Sequence, residues 1–161
     1  MSNLALEEKC KEMNIPFTRA KAGDKYVAEA LREKKWIIGG ENSGHIVLLD
    51  KHSTGDGIIS SLQLIASLQS NQESLSQALS NFPMYPQKLI NITSIGKFNV
   101  DGNEVKPLIE QANEMMEGKG RVLIRESGTQ PLIRVMTEGP DVEKVIKSAQ
   151  FLADSINQTS Q

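Results

Sequence analysis

The stretch from Arg121 to Arg134 constrains the fold of this 161-residue chain more than any other, because two apolar runs flank residues that can continue neither run. Val122-Leu123-Ile124 and Leu132-Ile133 are typical of strands. The Ser-Gly-Thr-Gln-Pro segment between them favours a turn. The pattern therefore predicts a strand, a short polar loop and a second strand.

The polar loop carries groups that suit an anion. Gly128 allows backbone N–H groups to converge on one point, and Ser127 and Thr129 add hydroxyl donors. Arg125 and Arg134, at the two mouths of the loop, can form bidentate charge-assisted hydrogen bonds with phosphate. These five residues are the predicted phosphate site. The alternative is a tight hairpin with solvated arginines at the strand ends, and the spacing alone favours neither interpretation.

Composition and charge narrow the class of protein. The chain has 18 basic and 20 acidic residues, a formal net charge of −2, which is not the charge of a general nucleic-acid-binding surface. A single cysteine, Cys10, excludes an intrachain disulfide and fits a reducing compartment. The sequence contains no signal-peptide pattern and no apolar run of membrane-spanning length. We therefore expect a cytoplasmic protein without nucleic-acid or membrane partners.

Hydrophobic spacing predicts the order of elements. The first half alternates helices with strands at Phe17–Ala20, Trp36–Ile38 and Ile46–Leu49, and the second half has the order strand, helix, strand, strand, helix. Two prolines in the segment Phe82–Pro86 favour a domain boundary. The expected domains are residues 1–82 and 87–161, joined by a linker at 83–86. The first helix has no preceding strand to pack on, so we expect the first domain to be truncated.

A second polar loop, Gly-Gly-Glu-Asn-Ser-Gly-His at residues 39–45, lies between two predicted strands. The Glu41 carboxylate can accept hydrogen bonds from two neighbouring hydroxyls, as a sugar ring presents, and Ser43 adds a further polar group. Glycines on both sides allow the backbone to approach a ring closely. The alternative, a polar hairpin with a solvated glutamate, is slightly favoured by the chemistry alone.

The histidines and the remaining acidic motif indicate no metal site. His45 opens an apolar strand, so a structural role is favoured over proton transfer or hydroxyl binding. His52 has no neighbouring cysteine or carboxylate cluster that would complete a zinc site. In Thr54-Gly55-Asp56-Gly57, a single aspartate at a helix start is better explained as an N-cap, from Thr54 or Asp56, than as a Mg²⁺ ligand.

Taken in order, the motifs Gly-Gly-Glu-Asn-Ser-Gly-His, Thr-Gly-Asp-Gly and Arg-Glu-Ser-Gly-Thr-Gln-Pro-Leu-Ile-Arg resemble the C-terminal portion of the bacterial phosphoglucosamine mutases, a family of the phosphohexomutase superfamily. The similarity also includes residues 20–27 and the Phe82-Pro83 junction, so it extends over almost the whole chain. The resemblance implies a truncated α/β sugar-binding domain 3. It also implies a small α+β phosphate-binding domain 4, with an antiparallel sheet and helices on one face.

The resemblance also implies an activity. Such enzymes interconvert glucosamine 6-phosphate and glucosamine 1-phosphate for cell-wall precursor synthesis, through a phosphoserine and a bisphosphate intermediate, assisted by Mg²⁺. The serine loop and the aspartate-rich metal loop of the family do not occur in this sequence. We therefore expect the chain to be inactive alone, with Mg²⁺ bound by the missing N-terminal domains of the same enzyme.

Matching positions give the implied site residues. The resemblance assigns the sugar contacts to Glu41, Ser43 and His45, and His45 is also the candidate for proton transfer. It places Asp24 and Lys25 at the border of the substrate. The resemblance assigns the binding of the non-reacting phosphate to Arg125, Ser127, Gly128, Thr129 and Arg134. The sequence departs from the family at Gln130, where glutamate is usual, and at Lys25, where arginine is common.

Two other functions remain open at this point. A phosphomannomutase or phosphoglucomutase fragment is disfavoured by Glu-Asn-Ser-Gly, since those enzymes have Glu-Met-Ser-Gly. A non-catalytic phosphate-ligand or protein-interaction module would need no further domains for its function.

Overall fold

The computed structural model describes residues 1–80, 82–93, 99–100, 102–127 and 131–159. They form two compact units, Met1–Met84 (unit 1) and Tyr85–Gln161 (unit 2). Unit 1 contains α1 (Leu4–Glu12), α2 (Asp24–Lys34), β1 (Ile38–Gly40), β2 (Ile46–Leu48), α3 (Gly57–Asn71) and α4 (Leu75–Ser80). Unit 2 contains β3 (Gln87–Thr93), α5 (Val105–Met115), β4 (Arg121–Glu126), β5 (Leu132–Glu138) and α6 (Val142–Thr159).

In unit 1, β1 and β2 form an antiparallel hairpin in which Gly40 lies opposite Ile46. Helix α2 packs on this hairpin and buries Leu31. Helix α3 begins where the Asp56 carboxylate accepts hydrogen bonds from the N–H groups of Ile58 and Ile59, both at 2.9 Å. The interpretation of Asp56 as a helix cap is therefore confirmed.

The strand predicted at Phe17–Ala20 is wrong, since these residues form no strand in the structure. A strand needs a paired neighbour, and this segment is held by other contacts. Arg19 donates hydrogen bonds to the Glu7 carboxylate at 2.7 Å and to the Ser2 carbonyl at 2.8 Å. The next strand is Ile38–Gly40, two residues beyond the predicted Trp36–Ile38, because both glycines pair within the hairpin.

Unit 2 is a three-stranded antiparallel sheet of order β3-β5-β4, and α5 and α6 pack against it. Its core joins Ile133 and Val135 of β5 to Leu152 and Ile156 of α6, each with 1% exposure or less. The predicted α+β domain, with an antiparallel sheet and helices on one face, is confirmed.

Successive residues of a strand point to opposite faces of its sheet. Arg134 lies between Ile133 and Val135, which face α5 and α6, so its side chain lies on the opposite face, here called the second face. None of the helices in the described ranges combines the length and the apolar character needed to span a membrane.

Candidate functional site

Arg125 and Arg134 are direct cross-strand partners in the β4–β5 ladder. Side chains of such partners point to the same face, with Cβ atoms about 4.5–5.5 Å apart. Both arginines are partly buried, and no carboxylate of the described residues forms a salt bridge with either. Like charges directly opposite each other destabilise a sheet. A bound anion between the two guanidinium groups would relieve this repulsion.

The adjoining loop residue is Ser127, whose N–H donates to the Leu132 carbonyl at 2.8 Å and so extends the pairing by one step beyond β4. The predicted phosphate ligands Gly128 and Thr129 lie outside the described residues. Glu126 lies opposite Ile133, on the face that carries the core. Its carboxylate therefore points away from the face that carries the two arginines.

A second charged row on the same face is neutralised within the protein. Glu138 lies opposite both Gln87 and Arg121 and is fully buried. Arg121 Nε lies 2.6 Å from Glu138 Oε1, and the Gln87 amide donates to Oε2. Arg121 is thus paired with a buried carboxylate. Arg125 and Arg134, on the same face, have no such partner among the described residues.

In unit 1, the loop after β1 is held by its own backbone. Glu41 N–H donates to the His45 carbonyl at 2.9 Å, and Gly44 N–H donates to the Glu41 carbonyl at 3.0 Å. Gly44 has a φ of 89°, which favours glycine. Glu41 Oε1 accepts the N–H of Gly23 at 2.8 Å, so the start of α2 fixes this carboxylate and leaves Oε2 for a hydroxyl group.

His45 lies beside the same helix start. Its Nε2 is 3.8 Å from Asp24 Oδ2, and its ring packs against Gly55, where an added Cβ would lie 2.8 Å from Nε2. The structure thus brings together Asp24, Glu41 and His45, three of the predicted substrate residues. Their side chains form a partly exposed polar group at the N-terminus of α2.

The side chains of Ser43 and Lys25 make no hydrogen bond or salt bridge with this group among the described residues, although the Lys25 N–H donates to Asp24 Oδ1 at 2.8 Å. Ser43 is exposed at the turn of the loop. Lys25 Nζ lies 3.8 Å from Glu29 Oε1, which directs its side chain along the surface of α2. Their predicted roles at the edge of the substrate remain predictions.

Two glycines of this group were missed by sequence reasoning. Gly23 supplies the N–H that holds Glu41 and has a φ of 125°, a conformation that disfavours any side chain. Gly55 provides the surface for the His45 ring. A glycine directly before the predicted start of α2 was the available signal for Gly23, while the Thr-Gly-Asp-Gly motif gave no indication that Gly55 contacts a histidine.

Comparison with known families accounts for both units. Residues 1–85 match the family model described as phosphoglucomutase/phosphomannomutase, alpha/beta/alpha domain III, and residues 84–155 match the C-terminal domain of the same family. The chain belongs to the phosphoglucomutase/phosphomannomutase family.

Within this family, the chain is similar to phosphoglucosamine mutases. It is 47% identical over 157 residues to the phosphoglucosamine mutase of Serratia proteamaculans (strain 568), a match covering 97% of this chain and 35% of the relative. It is 46% identical to the phosphoglucosamine mutase of Dechloromonas aromatica (strain RCB), covering 100% of this chain and 36% of the relative. The chain spans about a third of the length of these curated relatives.

Solved structures of the family share this fold. The N-acetylphosphoglucosamine mutase of Aspergillus fumigatus superposes with a TM-score of 0.80 at 17% identity, covering 99% of this chain and 37% of that chain. A structure of that protein in complex with GlcNAc-6P and magnesium gives a TM-score of 0.69 at 18% identity, covering 94% of this chain and 38% of that chain. A phosphoglucomutase/phosphomannomutase family protein of Burkholderia thailandensis gives 0.67 at 17% identity, covering 97% and 36% of the two chains. At these identities the similarity shows the fold alone.

Proposed function

We propose that this chain supplies the sugar-contacting loop and the distal phosphate site of a phosphoglucosamine mutase, which interconverts glucosamine 6-phosphate and glucosamine 1-phosphate. The observation that carries the proposal is the pair Arg125 and Arg134, opposite each other on one face and without a carboxylate partner among the described residues. Relatives named phosphoglucosamine mutase, 46–47% identical, support this substrate over a mannose or glucose phosphate.

The phosphate that does not react would lie between the two guanidinium groups. Arginine presents a planar fork of N–H donors that matches phosphate oxygens, and charge-assisted hydrogen bonds are stronger than neutral ones. Ser127 adjoins the pair at the end of β4 and would add a hydroxyl donor, as would Thr129, while the Gly128 backbone would approach the phosphate closely. These roles follow from their positions in the family motif.

The sugar would be held by the loop after β1. Glu41 would accept hydrogen bonds from neighbouring hydroxyls, with Ser43 and His45 as further contacts and Asp24 and Lys25 at the border. A bisphosphate intermediate must bind in two orientations during one turnover, so these contacts should involve hydroxyls near the axis of the flip. Phosphoryl transfer depends mainly on positioning and charge stabilisation, so a remote phosphate site raises the rate by fixing the reacting end.

The bond-breaking chemistry would reside in other domains of the same enzyme. The sequence has no Ser-His-Asn-Pro loop that could carry the phosphoserine. Within the described part of the chain, no three His, Cys, Asp or Glu side chains group closely enough to hold a metal ion. In this proposal, the chain binds substrate but does not turn it over. Its two domains are linked by residues 83–86. The complete enzyme would be cytoplasmic and would act in the synthesis of peptidoglycan precursors.

The experiment is calorimetric titration of the chain with glucosamine 6-phosphate. Arg125→Ala should weaken binding about tenfold to a hundredfold, since a hydrogen bond to a charged group contributes roughly 1.5–3 kcal/mol. Lys147→Ala is the matched control, because this exposed lysine of α6 lies outside the proposed site and its one salt bridge among the described residues is with Glu143, at 3.6 Å. Equal affinities of the Arg125→Ala variant and the wild type would refute the phosphate site.

A further inference from the structure

Asn91 extends the row of polar side chains that contains the two arginines. In the sheet order β3-β5-β4, Arg134 lies between Asn91 on one side and Arg125 on the other. Direct cross-strand partners share a face, so all three side chains belong to the second face, in a row about 10 Å wide. Asn91 is exposed and makes no side-chain hydrogen bond with the described residues.

Arg134 has an unused donor on this row. Its Nε is buried and has no hydrogen-bond partner among the described residues. A buried polar group without a partner costs free energy. The Asn91 amide oxygen is two bonds beyond Cβ and Arg134 Nε is three bonds beyond Cβ, so the two atoms stand at similar heights above the sheet. The terminal guanidinium nitrogens extend further and remain available to a ligand.

The neighbouring row shows that the Nε of an arginine and an acceptor on the adjacent strand come close together on this sheet. Arg121 and Glu138 are direct cross-strand partners, and their Nε and Oε1 atoms lie 2.6 Å apart. There the acceptor is a carboxylate, which neutralises the arginine. At Arg134 the neighbouring strand offers an amide, which accepts a hydrogen bond without cancelling the positive charge.

We propose that Asn91 is a positioning residue of the phosphate site: once phosphate binds, its Oδ1 accepts the Nε–H of Arg134 and holds the terminal nitrogens of that arginine toward the phosphate. The inference rests on the proposed function, since it needs an anion on the Arg125 and Arg134 pair. This role would explain why β3 carries a neutral amide, and not a carboxylate, opposite Arg134.

The test combines affinity with a spectroscopic signature. Inorganic phosphate is titrated into the full chain, and the Nε–Hε resonance of Arg134 is followed in ¹H–¹⁵N spectra, assigned as the signal lost in Arg134→Lys. In the wild type, phosphate should shift this signal and slow its exchange with water. In Asn91→Ala the signal should stay fast-exchanging, and phosphate affinity should fall about threefold to tenfold, as expected for one neutral hydrogen bond.

Asn91→Asp separates positioning from charge. Its carboxylate still accepts the Nε–H, so the Arg134 signal should remain protected, while phosphate affinity should fall further than in Asn91→Ala because a negative charge then faces the anion. Asn157→Ala, at an exposed position of α6, is the control and should change neither measurement.

The outcomes distinguish the two proposals. If Arg125→Ala weakens phosphate binding while Asn91→Ala changes neither affinity nor the Arg134 signal, the role of Asn91 is wrong and the phosphate site stands. An Arg134 signal that is protected equally in the wild type and in Asn91→Ala also rejects it. If Arg125→Ala leaves phosphate binding unchanged, the proposed function itself fails.

Discussion

At the scale of single residues, the environment of an arginine on the second face depends on the residue across the strand. Arg121 faces Glu138 and is neutralised inside the protein, whereas Arg125 faces Arg134 and repels it. Arg121 and Arg125 are four positions apart on the same strand, so both side chains point to the same face. The first arginine is paired with a carboxylate, and the second has no carboxylate partner among the described residues.

The buried partner of Arg121 gives a residue-scale prediction. Glu138→Gln should destabilise unit 2 by about 3 kcal/mol or more, because removal of one member of a buried ion pair leaves the other charge uncompensated. The Glu138 side chain is 0% exposed and that of Arg121 only 19%. Urea unfolding followed by circular dichroism measures the effect. The same substitution at Glu143, whose side chain is 79% exposed, should change the unfolding free energy far less. Equal changes in unfolding free energy for the two substitutions would show that the buried pair of Arg121 and Glu138 stabilises unit 2 no more than an exposed pair does.

At the scale of elements, sequence patterns predicted the helices better than the strands. Helix α6 followed from apolar residues at helical spacing, a signal contained within one segment. Phe17–Ala20 has the composition of a strand but pairs with no strand of the described residues, and no local pattern can show whether a partner strand exists. The composition of the loop was enough to predict Arg125 and Arg134 as phosphate ligands. The position of Asn91 beside Arg134 could not be predicted, because it depends on the pairing of β3 with β5, which are distant in the sequence. The role of Glu138 was likewise hidden, because its partners Gln87 and Arg121 lie on other strands.

Helix α6 is also joined at its first turn to the residues that follow α5, through Lys144. Its Nζ lies 2.5 Å from Glu117 and 3.8 Å from Asp141. The hydrogen bond from the Lys144 side chain lowers the pKa of Glu117 from its ordinary value of 4.5. Backbone hydrogen bonds from Lys144 and then Glu143 lower the pKa of Asp141 from 3.8. The hydrogen bond to Glu117 raises the pKa of Lys144 above 10.5.

The signs of these shifts predict how the contact depends on pH. A carboxylate with a lowered pKa stabilises the fold above its unfolded pKa and loses this contribution as the pH falls through its folded pKa. The raised pKa of Lys144 gives a contribution that is complete below 10.5 and is lost only at higher pH. Lys144→Met should therefore lower the melting temperature slightly at about pH 7 and hardly at all at about pH 3. Thermal unfolding at both pH values measures this, with Lys147→Met as the control. A deficit as large in acid as at neutral pH would mean that Lys144 acts through packing.

At the scale of the whole molecule, the two units differ in the depth of their cores. The buried apolar side chains described in unit 1 are Ala5, Leu31, Val47 and Leu48. Unit 2 has a continuous buried cluster that joins its sheet to both helices. Helix α3 of unit 1 has no buried residue, and Ile58, Leu62 and Ile65, on one side of it, are 74%, 62% and 50% exposed. Burial of apolar surface is the main favourable contribution to folding, so α3 gains little from its own unit.

Amide hydrogen exchange should therefore rank the elements of the isolated chain. We expect the slowest exchange in α6 around Leu152 and Ile156, which are 0% exposed, because these amides become accessible only when the core of unit 2 opens. The amides of α3 around Leu62 should exchange many times faster, although α3 is a regular helix of 15 residues, because backbone hydrogen bonds with little tertiary packing give marginal stability. Exchange followed by NMR under native conditions gives both rates in one sample. Replacing exposed Leu62 by Ala should leave the α6 rates unchanged, whereas Leu152→Ala should raise them by removing buried apolar contacts worth about 2–5 kcal/mol. Protection of α3 as strong as that of α6 would mean that the apolar side of this helix is covered in solution.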